Sequence, residues 1–220
     1  MTVPDAPLWE RAGLRQVAGQ TLRPGGFALT DRAAEHAGLV PGWRVLDVGS
    51  GLGATVRRLR SRYGAAAYGV EMSASQMSRA GHSPWFVQGT GHALPFAGGV
   101  FRMVLCECVL SLFPDWRIGL NELGRVLVPG GWLAVSDLCG VPQASCPSGG
   151  CADRPLPVET VRIFLEENGF SVSLLEDHSR MLRDLAARLL LAGESGACVS
   201  HSGLGYFLMI AQKNGVAHAG

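Results

Sequence analysis

Val45-Leu46-Asp47-Val48-Gly49-Ser50-Gly51-Leu52-Gly53-Ala54-Thr55 is the stretch from which the rest of the chain is read. Residues 45–48 form a short run, apolar but for one acid, that reads as a buried parallel strand. It passes directly into glycines 49, 51 and 53, and a helix is predicted from Ala54 to about Tyr63, with Arg57, Arg58 and Arg60 on its outer face. The glycines let the backbone turn tightly and let a ligand approach without meeting a Cβ. Such a turn is expected to offer bare N–H groups at a helix N-terminus, suited to a nucleotide or an amino-acid carboxylate.

Working outward, strands are predicted at 66–70, 85–88, 101–108, 132–136, 170–175 and 205–212. Helices are predicted from Ser73 as N-cap, over 115–126, over 157–168 with Gly169 as stop, and over 181–191. Upstream, helices at 7–17 and 31–37 are separated by Leu22-Arg23-Pro24-Gly25-Gly26, and Pro41-Gly42 turns the chain into the first strand. The expected organisation is an N-terminal helical cap segment (1–38), one α/β domain (39–213) and a disordered tail (214–220).

A chain of 220 residues that is 47% hydrophobic and 17% charged can bury a core of one domain. Its net charge of +1 gives no long-range attraction to nucleic acid or an acidic membrane. Lys213 is the only lysine, and the arginines form no tract. No apolar run approaches the roughly 20 residues that span a bilayer, and a start carrying Asp5 and Glu10 lacks a signal-peptide layout. A cytoplasmic protein is expected. Its six cysteines are then thiols, metal ligands or redox groups sooner than a disulfide framework.

Gly49-x-Gly51-x-x-Ala54 also satisfies the dinucleotide fingerprint, with Glu71 at the distance of a ribose-binding acid. Asp47 tips the balance. A carboxylate two residues before the first glycine is unfavourable beside a pyrophosphate and favourable beside a cofactor carrying an ammonium and a sulfonium. Together with Gly69-Val70-Glu71-Met72 and Leu127-Val128-Pro129-Gly130-Gly131, the chain resembles the class I S-adenosylmethionine-dependent methyltransferases. The resemblance implies a Rossmann-like, mostly parallel sheet with a final antiparallel strand, helices on both faces, and N-terminal segments over the cofactor.

It also implies a cofactor site at Asp47, Gly49, Ser50, Gly51, Gly53, Glu71, Met72, Thr90, Gly91, His92 and Cys106. Thr90 replaces the acid that commonly holds the adenine amino group, and Arg102 stands where an aspartate is usual. No general base is named, because methyl transfer from a sulfonium needs mainly alignment and exclusion of water. Parallel sheets bind ligands beyond the carboxyl ends of their strands. There Cys106 and Cys108 are expected to point to one side and Glu107 to the other, and Cys139, Cys146 and Cys151 leave from the same rim. The acceptor is therefore expected near Glu107, Cys108, Cys139, Cys146 and Cys151, with no C-x-x-C pair and no metal site assigned.

Three functions follow from this reading. An ordinary small-molecule methyl acceptor leads. A soft acceptor held by thiolates follows, since the cysteine layout has a partial likeness to arsenite methyltransferases, with Cys198 as the more distant ligand. The third is a cofactor-binding partner or sensor without turnover, with an NAD-dependent oxidoreductase as the outcome if the glycine turn binds a dinucleotide.

Overall fold

In the computed structural model, which describes residues 8–81, 83–140, 154–193 and 203–215, the apolar runs become seven strands. They are β1 (Arg44–Val48), β2 (Ala66–Glu71), β3 (Phe86–Gln88), β4 (Phe101–Glu107), β5 (Leu127–Gly140), β6 (Phe170–Asp177) and β7 (Leu204–Lys213). They form one sheet in the order β3-β2-β1-β4-β5-β7-β6. Every pairing is parallel except those of β7, which runs antiparallel to both β5 and β6. The expected Rossmann-like sheet with its antiparallel last strand is what the chain builds. The strand order reverses between β1 and β4, and a crevice opens at their carboxyl ends.

Two-residue alternation divides the sheet into two apolar faces. Leu46, Val48, Val104, Cys106 and Val135 face α5 (Trp116–Val126) and α6 (Val158–Glu167). Val45, Met103, Leu105 and Ala134 face α2 (Ala28–His36), α3 (Ala54–Tyr63) and α7 (Ser179–Leu191). The short α1 (Ala12–Ala18) packs its Leu14 against Leu185 and Leu189 of α7. Helix α4 (Ala74–Ala80) starts as predicted at Ser73, whose Oγ accepts from Gln76 N at 3.2 Å. No helix of the described residues is long and apolar enough to cross a membrane.

Several boundaries differ from the sequence reading. The predicted helix at 7–17 is a 3-10 turn (Leu8–Glu10) followed by α1. Strand β5 begins at Leu127 and carries Pro129-Gly130-Gly131 within it. The register jumps from Phe101↔Leu127 to Met103↔Trp132, so this segment bulges from the ladder instead of ending it. Strand β4 stops at Glu107, because Cys108 turns to φ 62°. The arginines of α3 are not a free outer face: Arg58 pairs with Asp31 and Arg60 stacks 3.7 Å from the Trp85 ring centre. Asn214, expected in the tail, is held by Gly169 O and Ser171 Oγ, each at 2.8 Å; residues 216–220 lie outside the described ones.

The one lysine of the sequence has a structural use. Lys213 Nζ donates to Gly124 O at 2.7 Å and Leu127 O at 2.9 Å, closing the C-terminal end of α5 with positive charge. Lys213→Met is expected to lower unfolding free energy by about 1–2 kcal/mol. A lowered urea midpoint with unchanged slope is the confirming result.

Candidate functional site

At the carboxyl ends of β1, β2 and β4 lies a cavity of about 580 Å³. Its polar side is the glycine turn. The structure corrects the expectation of bare amides there. Gly49 N and Ser50 N donate to Val70 O at 2.8 and 3.0 Å, and Gly53 N donates to Ser50 O at 2.7 Å. Gly51 N donates to Glu71 Oε2, and Ser73 N donates to Glu71 Oε1, both at 2.8 Å. The turn is thus tied down on β2, and Glu71 is aimed by its own neighbours. Each of its oxygens keeps a lone pair for a further donor. Glycine is required at Gly49 and Gly53: both have φ 74°, and an added Cβ stands 2.3 Å from Val109 and 2.2 Å from Phe86.

Beneath the turn lies a buried charge cluster. Asp47 ends on the cavity wall with 4% exposure. Burial, then Glu107, raises its pKa to about 8, with Arg23 acting against them. Burial also raises Glu107, against which Arg23 acts. Arg23 Nη2 lies 2.6 Å from Glu107 Oε2 and donates to Thr30 Oγ1 at 2.6 Å and Thr55 Oγ1 at 3.1 Å. Thr30 Oγ1 also donates to Glu107. This network joins the segment before α2 to α2 itself, the start of α3 and the end of β4. In the sequence Arg23 reads only as part of a helix break, and its place directly before Pro-Gly-Gly is the available signal of a further role.

Among the described residues, three buried side-chain polar atoms have no partner: Arg23 Nε, Ser50 Oγ and Gln76 Oε1. All three belong to residues of this cavity wall. All three atoms are sealed from solvent behind the open face of the wall, Ser50 Oγ against Gly69 of β2. Gln76 carries no signal in the sequence; it is 1% exposed, and its amide Nε2 donates to Trp9 O at 2.9 Å.

Asp47, Gly49, Ser50, Gly51, Glu71, Met72, Thr90, Gly91, His92, Glu107 and Cys108 all stand on the wall. Gly53 holds the turn behind it, and Met72 sits at the rim with 71% exposure. Cys106 does not belong there. It is fully buried among Val104 and Val135 on the opposite face, where burial pushes its thiol well above the usual range. Cys106 and Cys108 do not share a side, because the left-handed turn at Cys108 breaks the alternation and packs it with the other face. Cys139 packs on the side of Cys106 and is off the wall. Burial raises its thiol as well. The described thiols therefore do not converge, and no group of three metal-binding side chains occurs among the described residues. Cys146, Cys151 and Cys198 lie outside them.

Residues 46–135, which span the glycine turn, Glu71, β4 and most of β5, match a family model described as "Methyltransferase domain". Over this stretch the chain is similar to the class I S-adenosylmethionine-dependent methyltransferases. It is 31% identical over 135 residues to a demethylmenaquinone methyltransferase of Corynebacterium kroppenstedtii, covering 60% of this chain and 58% of the relative. To an arsenite methyltransferase of Halobacterium salinarum it is 29% identical over 153 residues, covering 61% and 39%. The chain thus spans about half the length of the curated relatives it matches. Phosphoethanolamine N-methyltransferase 2 of Haemonchus contortus shares the fold, with a TM-score of 0.76 at 16% identity over 92% of this chain and 56% of that one. The cavity fits S-adenosylmethionine, with two carboxylates, Glu71 and Asp47, on its wall.

Proposed function

We propose that this protein transfers the methyl group of S-adenosylmethionine to a small-molecule acceptor in the cytoplasm. The observation that carries the reading is the cavity wall at the strand ends that brings the glycine turn, Asp47 and Glu71 together. In this reading Glu71 accepts the ribose hydroxyls, and Asp47 faces the cationic amino-acid end. Thr90, Gly91, His92 and Met72 border the adenine, and Gly49, Ser50, Gly51 and Gly53 let the backbone close on the ligand. When bound, the cofactor supplies an electrophilic methyl group on a sulfonium. The chain's own part is to align the acceptor and keep water out, and no residue is assigned as base.

Calorimetry with S-adenosylmethionine and NAD tests the assignment. Binding of the first and not the second is expected, since Asp47 gains by ionising beside a cation and offers no positive charge to a pyrophosphate. Micromolar NAD binding without S-adenosylmethionine binding overturns it. Formation of S-adenosylhomocysteine with an acceptor separates an enzyme from a sensor. A soft acceptor held by several thiolates has little support, because Cys108 is the one thiol of the described residues on the cavity wall.

A further inference from the structure

Among the described residues only two that are not glycine have a left-handed backbone, Leu22 at φ 56° and Cys108 at φ 62°. Both line the cavity. Side chains at such angles are strained and persist only where their surroundings hold them, which is common at ligand sites. Here the restraint is visible. Leu22 precedes Arg23 and Cys108 follows Glu107, so the 2.6 Å ion pair between Arg23 and Glu107 pins both turns at once.

From these two residues the wall continues as Leu14, Leu112, Leu138, Leu182, Leu185 and Leu189. The charged groups of the cavity stand elsewhere or are neutralised. Asp47 and Glu71 end the strands beside the glycine turn, Glu10 accepts from Ser73 Oγ at 2.9 Å next to Glu71, and Arg23 is paired with Glu107. An ion placed against the leucines would lose its hydration without a counter-charge, whereas an apolar body gains from every apolar surface it covers.

We infer that this leucine-lined seam of the cavity takes an uncharged acceptor with an extended aromatic or hydrocarbon body, selected by the strained Leu22 and Cys108. The acceptor role rests on the methyl-transfer reading; the ligand class rests on the wall itself. Phosphate esters, amino acids and oxyanions are excluded from this seam.

The neutral fluorophore N-phenyl-1-naphthylamine is titrated into the full chain saturated with S-adenosylhomocysteine. Micromolar binding with blue-shifted emission is expected. With the cofactor product kept saturating, Leu22→Asp weakens that binding at least tenfold. Asp tolerates the left-handed backbone, and Leu22→Asn is the second variant should the charge impair folding. With methyl-labelled cofactor, a neutral hydroxynaphthalene is methylated at least tenfold faster than its carboxylated analogue. Absence of fluorophore binding, its expulsion by S-adenosylhomocysteine, wild-type binding in both Leu22 variants, or preference for the carboxylate overturns the inference. Failure of S-adenosylhomocysteine to bind while the free protein takes up the fluorophore sinks the methyl-transfer reading alone.

Discussion

Glu71→Ala is expected to keep its fold and to raise the dissociation constant for S-adenosylmethionine by about 100-fold or more. In the proposed complex the carboxylate accepts two ribose hydroxyls, each charge-assisted bond being worth about 1.5–3 kcal/mol. Its loss removes more than those two acceptors. Glu71 also receives the amides of Gly51 and Ser73 at 2.8 Å, so without it the tip of the glycine turn loses its tie to β2. The fold is spared because the rest of the turn is anchored on Val70 O through Gly49 and Ser50. Calorimetry on a variant with a native circular-dichroism spectrum decides the matter. An unchanged constant means that Glu71 only braces the turn.

The sheet was legible in the sequence because its signals are local. The run at Val45–Val48, the glycines after it and the Ser73 cap each act within a few residues, and the chain places them where the pattern does. The failures are of a different kind. Cys106 and Cys108 were read by two-residue alternation, which holds only while the backbone stays extended; the left-handed turn at Cys108 separates the two thiols. Pro129-Gly130-Gly131 carries strong turn chemistry, yet the strand continues through it as a bulge, supported by Gln212 Nε2 donating to Gly130 O at 3.0 Å. That partner is 82 residues away in sequence.

The candidate site shows the same division. Asp47 and Glu71 sit at strand ends that a pattern can locate. Arg23, Thr30 and Thr55 reach Glu107 from three separate elements, and nothing in their spacing announces the network. Its existence also changes what Asp47 is. Read alone, Asp47 is a carboxylate awaiting a cation; in the structure it is a buried acid beside a second buried acid, with one arginine between the two charges' demands.

Asp47→Asn should therefore make the ligand-free protein more stable while weakening cofactor binding. The carboxyl titrates near 3.8 when exposed and at about 8 in the fold. Between those values the folded state holds a proton that the unfolded state has released, so stability falls as pH rises, by up to about 1.4 kcal/mol per pH unit. Asp137, whose pKa burial raises to about 6, adds to the fall only below that pH. The amide removes the Asp47 contribution, and a gain of about 2–4 kcal/mol at neutral pH is expected, or roughly 5 to 15 °C in Tm. In the same variant the decline of Tm between pH 6 and 8 flattens. Binding supplies the opposite side of the linkage. A cationic ligand beside Asp47 stabilises the ionised form, so the wild type releases close to one proton per cofactor at neutral pH. The apparent binding enthalpy then differs between buffers of high and low ionisation enthalpy, and the difference disappears in Asp47→Asn. A variant less stable than the wild type, or a wild-type heat that is the same in every buffer, would show that Asp47 is already ionised in the empty cavity.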